Sequence, residues 1–423
     1  MRLTWIRIVC LCLLSTIDVQ VRSYSVRADD IAATENTSPN TPGKRPHFPL
    51  NALNKPPETF PTSECKVEGV DAFFYESVNY KGQPTRVFAY YGFPEKESQR
   101  RDAKVPAMVL LHGGGGTAFA DWVKIWTARG YAAIAMDLCG CVPIHVEPRF
   151  WQRHDKGGPA GWGASFPQID DAIEDQWQYH AVSAAILAHS WLRSQPNIDN
   201  ERIGLTGISW GGYLTCLVAG VDTRFKLAVP IYGCGYLGDN SAWLSEFAKL
   251  GPDKSKLWLD QWDPSVYLPD VKVPMLWMNG TNDAAYPPDS WQKSYRLVTG
   301  PRTISFRIRM PHGHPPGQTP DEIHVFANSL FQDGKPLAKI VEQGTSDTEA
   351  WAKYTSVAPI TSAELCFTRD RGTWKDRNWE SIPARIDSTA HTVAAEIPAD
   401  ATVYYLNLTD DRKCVVSSQH TER

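Results

Sequence analysis

A serine framed by glycines, Gly207-Ile208-Ser209-Trp210-Gly211-Gly212, is the strongest chemical signal in the chain. It follows the short apolar run Ile203 to Thr206 and leads into the apolar, helix-compatible stretch Tyr213 to Ala219, so it reads as a sharp strand-to-helix turn. Gly207 and Gly211 relieve crowding in such a turn and hold the Ser209 hydroxyl above the sheet edge, where the next helix N-terminus favours developing negative charge. A hydroxyl needs a base to take its proton, and the base needs an acid to orient it. Asp283 is the candidate acid, three residues past Gly280 at the end of the run Pro274 to Met278. Two histidines compete for the base in Met310-Pro311-His312-Gly313-His314. The order Gly313-His314, with room beside the glycine for an imidazole, favours His314; His312 is the alternate, and the one not used is expected to hold the loop by hydrogen bonds. An oxyanion would need two N–H donors. The glycine run after His112 supplies one from Gly113, Gly114 or Gly115, and the amide of Trp210 supplies the other.

These residues need a scaffold that brings the ends of several strands together. The runs Pro106 to Leu111, Ala132 to Met136, Arg202 to Thr206, Leu227 to Ile231, Pro274 to Met278 and Thr303 to Ile308 show little in/out alternation, as strands covered on both faces do. Helical stretches separate them, the clearest being Asp175 to Ser194. Alternation of this kind predicts a doubly wound, mostly parallel sheet. An antiparallel hairpin is expected before it, from Val70 to Val78 and from Thr85 to Gly92. A long insertion between Cys141 and Gln168 falls where loops line the crevice. It reads either as part of a substrate wall, with Trp151 and Trp162 offering flat faces, or as a packed covering loop, and part of a Trp content of 16 is expected to face substrate. The acidic run Asp170, Asp171, Glu174 and Asp175 reads as a solvated first helical turn rather than a metal site.

The ends of the chain read differently. Arg2 and Arg7 before Ile8 to Leu14, with Val26-Arg27-Ala28 beyond, resemble a secretory leader over 1–28 that is too short to anchor in a bilayer. Residues 29–60 read as a Pro-rich tether, 61–344 as a catalytic domain and 345–423 as a small β-sandwich-like module with four short strands. A net charge of −4, deepening to −7 without the leader's four Arg and one Asp, gives no basic field for nucleic acid. Nine cysteines become seven once Cys10 and Cys12 leave, and Cys366 with Cys414 is the preferred disulfide. No Cys or His set reproduces structural zinc spacing.

Together, Thr85 to Tyr90, His112 to Gly116, Arg202 to Gly212, Gly280 to Asp283 and His312 to His314 resemble the α/β-hydrolase superfamily. Within it they resemble the branch of acetyl xylan esterases, dienelactone hydrolases and prolyl-oligopeptidase-like enzymes. The resemblance implies a secreted or periplasmic serine hydrolase cleaving carboxylic esters, on acylated carbohydrate or small esters, with Ser-His-Asp acyl transfer to water and no metal or organic cofactor. It leaves open a serine peptidase of prolyl-oligopeptidase type, or a catalytically silent hydrolase-fold binding protein. Trp210 stands where acetyl xylan esterases of the cephalosporin-deacetylase type have Gln.

Overall fold

The computed structural model describes residues 25–27, 45–95, 104–146 and 149–423. The apolar runs form the centre of a nine-stranded sheet. Its strands are β1 (Thr59–Pro61), β2 (Asp71–Tyr80), β3 (Gln83–Gly92), β4 (Val105–Leu111) and β5 (Ala132–Met136), then, after a separate two-stranded hairpin of β6 (Cys141–Val146) and β7 (Arg149–Arg153), β8 (Ile198–Ile208), β9 (Ala228–Ile231), β10 (Met275–Gly280) and β11 (Arg302–Arg307). Strands β4, β5, β9 and β10 are buried at every position, because helices cover both faces of the sheet.

The strand order is β11-β10-β9-β8-β4-β5-β3-β2-β1. From β11 to β5 all neighbours are parallel, and the entry hairpin adds the antiparallel end. The chain leaves β4 toward β5 on one side and later returns to its other side with β8. This reversal opens a crevice beyond the carboxyl ends of β4 and β8. Helix α3 (Trp177–Ser194) packs beside α4 (Trp210–Val221). Helix α2 (Ala120–Thr127) meets α9 (Asp321–Phe331) through the rings of Trp126 and His324, 4.6 Å apart.

Packing begins earlier than the expected tether allows. The chain lies on the core from Arg45: Phe48 stacks on Tyr179 at 5.0 Å, helix α1 (Leu50–Leu53) buries Leu53, and the Ser190 hydroxyl donates to the Leu53 carbonyl. Residues 1–24 and 28 of the expected leader, and residues 29–44 of the tether, lie outside the described residues.

The C-terminal module is a sandwich of two antiparallel sheets. One runs β12 (Lys339–Thr345), β13 (Glu349–Thr355), β17 (Thr392–Glu396), β16 (Arg385–Asp387), with Ser25–Arg27 along the outer edge of β12. The other runs β15 (Trp379–Pro383), β14 (Ile360–Thr368), β18 (Val403–Asp410), β19 (Val415–Ser417), and β20 (Thr421–Glu422) also pairs with β18. Leu365, Val393, Leu406 and Leu408 fill the space between them. The module therefore starts at Lys339 rather than 345, since β12 pairs with β13 and not with the central sheet. It also has more strands than the four expected.

The module sits against the outer edge of β11. The Phe306 N–H donates to the Ser417 hydroxyl at 2.8 Å, and the Phe306 carbonyl accepts from Asn407 Nδ2 at 3.3 Å. The Phe306 ring packs on Tyr405 at 4.7 Å and on His420 at 5.7 Å.

The expected disulfide is absent: Cys366 and Cys414 are both buried free thiols. Cys366 pairs across to Tyr405 on one side of β18, while the Cys414 carbonyl accepts from the Asp410 N–H on the other side. Five residues along a strand is roughly 17 Å, well beyond the Cα separation of about 7 Å that a disulfide can span.

Candidate active site

Ser209 sits between β8 and α4 with φ 60 and ψ −119, a left-handed conformation that tips its side chain out of the sheet. Its N–H is fixed by the Ile231 carbonyl at 2.8 Å. The turn closes because Gly211 has no side chain: a Cβ there would lie 1.9 Å from the Leu111 carbonyl oxygen. The indole of Trp210 is buried among Trp177, Tyr213 and Trp243, and its backbone N–H belongs to the first turn of α4, where N–H groups have no partner within the helix.

Asp283 follows β10 and is almost fully buried. Its Oδ1 accepts the N–H groups of Ala285 and Tyr286, both at 2.8 Å, and Oδ2 lies 2.7 Å from Nδ1 of His312. The other ring nitrogen of His312, Nε2, is 2.8 Å from Ser209 Oγ. A carboxylate can only accept, so Nδ1 carries the proton and donates to Asp283, and Nε2 is the acceptor for the Ser209 hydroxyl. The rings of Tyr232 and Tyr286 flank the imidazole at 4.6 and 6.4 Å, and the Tyr232 hydroxyl donates to the Pro311 carbonyl at 2.8 Å, which holds the loop in place.

The preference for His314 is thus corrected: His312 lies between Ser209 and Asp283. His314 begins the short helix α8 (His314–Gln318) and turns the other way. Its Nε2 accepts the Gly113 N–H at 3.0 Å, and its ring is wedged against Phe119 at 4.2 Å and Trp122 at 5.3 Å. Burial, reinforced by His112 and His312, pushes the His314 pKa down to about 3, so the ring is neutral and a good acceptor.

The glycine run after β4 lies against the serine. A Cβ on Gly113 would come within 2.8 Å of the Ile208 carbonyl oxygen and 3.1 Å of Ser209 Cβ, so only glycine fits. The Gly113 N–H is held by His314, which leaves Gly114 and Gly115 of the three expected donors. The run rests on His112, whose Nε2 accepts the Leu138 N–H at 3.0 Å and whose Nδ1 lies 2.8 Å from the Gly113 carbonyl. Burial lowers the His112 pKa and keeps it neutral. Asp137 supports the same corner by accepting from Thr117, Cys139 and Cys141.

Trp162 lies over Gly114, with its Cδ1 3.4 Å from where a Gly114 Cβ would be, and its ring is 6.3 Å from that of Trp151. The two expected wall residues are therefore together beside the glycine run. Trp258 and Trp262 are core residues, fully buried. The acidic run is engaged as a surface: Asp170 pairs with Lys254, and Asp175 accepts the Lys81 N–H. Among the described residues, no cluster of His, Cys, Asp or Glu is arranged to hold a metal ion, and no helix is long and apolar enough to cross a membrane. The residues that sequence reasoning missed are Tyr232, which holds the histidine loop from the end of β9, and Asn282 and Tyr286, which lie in the acid loop on either side of Asp283.

Six parallel strands carrying a serine turn, an acid and a histidine at their carboxyl ends make up the α/β-hydrolase fold. The model of the prolyl oligopeptidase family (Peptidase_S9) matches residues 155–330. Acetyl esterase Axe7A of Xylanibacter ruminicola is 21% identical over 267 residues, 60% of this chain and 58% of that protein. The uncharacterized peptidase YuxL of Bacillus subtilis is 27% identical over 235 residues, 50% of this chain and 32% of that protein. The chain thus spans about a third to three fifths of the length of these two relatives. Acetyl xylan esterase from Paenibacillus sp. R4 shares the fold with a TM-score of 0.53 at 19% identity, over 68% of this chain and 98% of that one.

Proposed function

We propose that this chain is an exported serine hydrolase that cleaves carboxylic esters, with acyl groups on carbohydrate or small esters as substrates. The observation that carries the reading is the relay from Ser209 Oγ through His312 to Asp283, with both hydrogen bonds at or below 2.8 Å. In the proposed mechanism His312 Nε2 takes the Ser209 proton as Oγ attacks the ester carbonyl carbon. The amides of Trp210 and of Gly114 or Gly115 stabilise the oxyanion, and His312 returns its proton to the departing alcohol. Water then attacks the acyl-serine by the same proton route. Asp283 keeps the proton on Nδ1 and stabilises the imidazolium between these steps.

The ester reading is supported by the match over nearly the whole of the Paenibacillus acetyl xylan esterase structure. Trp151 and Trp162 would form a substrate wall beside the acyl site. The second reading, a peptidase, is favoured by the prolyl oligopeptidase family match across the serine, acid and histidine segments. A panel of acetyl, butyryl and feruloyl esters beside aminoacyl amides separates the two. Serine-directed phosphonate labelling of the wild type and Ser209→Ala locates the nucleophile; undiminished turnover in Ser209→Ala would remove the mechanism altogether.

A further inference from the structure

The C-terminal module reaches the catalytic loops through the side chains of Asn282 and Arg309. Asn282, next to Asp283, points its Nδ2 amide into a turn of the module and donates to the carbonyls of Arg377 at 2.7 Å and Lys375 at 3.0 Å, with Trp374 O at 3.3 Å. Its Oδ1 accepts from the Thr281 hydroxyl at 2.7 Å, and that hydroxyl accepts the Arg309 N–H at 2.9 Å. The Arg309 guanidinium in turn donates to the Trp379 carbonyl. The loop carrying the acid and the loop carrying the histidine are therefore joined to each other, and both are tied to 374–379.

The turn that receives Asn282 is built within the module. Trp374 is buried and stacks on Trp379, with the rings 6.4 Å apart and nearly parallel. The Arg377 guanidinium lies 3.8 Å over the Trp374 ring and donates from Nε and Nη2 to the Gly372 carbonyl. Asp370 accepts the Asn378 N–H at 2.6 Å. An Asn amide has two N–H groups, and both are spent on this turn rather than on the domain to which Asn282 belongs.

We infer that the C-terminal module serves as an internal clamp on the catalytic acid: Asn282 is a positioning residue that sets Asp283 against His312 through the turn at 374–377. The inference rests on the serine-hydrolase reading. Asp283 keeps the Ala285 and Tyr286 N–H groups without the clamp, so the expected loss is partial.

The test compares Asn282→Ala, Arg377→Ala and the double variant with wild type in steady-state hydrolysis of an activated acetyl ester, over a range of pH. A carboxylate displaced by a fraction of an ångström to 1 Å costs up to about 100-fold. Each single variant is expected to lower kcat roughly 10- to 100-fold with little change in KM. The acidic limb of the kcat profile should move to lower pH, because a misplaced Asp283 stabilises the imidazolium less. The groups facing His312 are Asp283, Tyr232, Tyr286 and the buried neutral His314, so Asp283 is the charge whose displacement the limb reports. The double variant should be no worse than the weaker single. If Asn282→Ala does not fold, Arg377→Ala, which removes a half-buried side chain beside the exposed Lys375 and Asp376, carries the same criteria. A wild-type kcat and an unmoved limb in the folded variants would overturn the clamp. Retained activity in Ser209→Ala would instead overturn the hydrolase reading, so the two failures are distinct.

Discussion

Two histidines share the loop after β11, and replacing each with alanine should give losses of very different size. His312→Ala removes the group 2.8 Å from Ser209 Oγ, and loss of a triad base in enzymes of this chemistry costs on the order of 10⁶ in kcat. His314→Ala removes the acceptor of the Gly113 N–H and leaves that buried donor unpaired, a cost of about 1 to 3 kcal/mol. If all of it falls on the placement of the glycine run in the transition state, kcat drops roughly 5- to 150-fold. His314→Gln, whose amide oxygen can accept the same N–H, should recover part of the loss. The pH profile adds a second criterion. Because burial holds His314 neutral down to about pH 3, its removal should leave the acidic limb of the kcat profile where it is in the wild type. The assay is initial-rate hydrolysis of an activated acetyl ester at saturating substrate, with the active-site concentration fixed by phosphonate titration. A million-fold loss in His314→Ala beside near-normal rates in His312→Ala would refute the reasoning.

Stability should fall on acidification well before the carboxylates titrate. His180, with its pKa lowered to about 4, and His314, His324 and His420, lowered to about 3, are all depressed first by burial. A base whose folded pKa lies below its unfolded value of about 6.5 favours the native state fully above pH 6.5 and loses that contribution as pH falls toward the folded value. Uptake of about four protons on unfolding near pH 5 is expected from these residues, measurable as the slope of stability against pH; a flat slope between pH 4.5 and 6 would refute it. Gly211→Ala places a Cβ 1.9 Å from a backbone oxygen and should abolish soluble expression; a well-folded, active variant would show that the turn can yield. Mass spectrometry after maleimide labelling in denaturant without reductant should find Cys65, Cys139, Cys141, Cys216, Cys234, Cys366 and Cys414 all reactive, whereas a 366–414 bond would remove two labels.

The core sheet was legible because β4, β5, β9 and β10 are buried on both faces and so appear as unbroken apolar runs. Ser209 and Asp283 were legible for the same reason, since each directly follows such a run. The choice between His312 and His314 was not. It depends on the positive φ of Arg309 and on the Tyr232 hydroxyl holding Pro311, a contact spanning 79 residues that no local spacing reveals. The role of Asn282 depends on carbonyls more than 90 residues away. Strands β12, β15 and β16 carry mostly half-buried or exposed residues and so lack the alternation by which the sequence reveals a strand. The start of the module was misplaced accordingly.

The outer edge of β11 has a consequence for how this protein behaves in solution. An uncovered parallel edge strand presents N–H and C=O groups on which another chain can add, and that is a route to aggregation. Here Ser417 and Asn407 take up those groups at Phe306 with side chains, so the sheet ends without a tenth strand, and aromatic rings cover the apolar surface alongside. Trimming the chain at residue 338 to obtain a minimal hydrolase would therefore expose an adhesive edge, and the trimmed protein should self-associate.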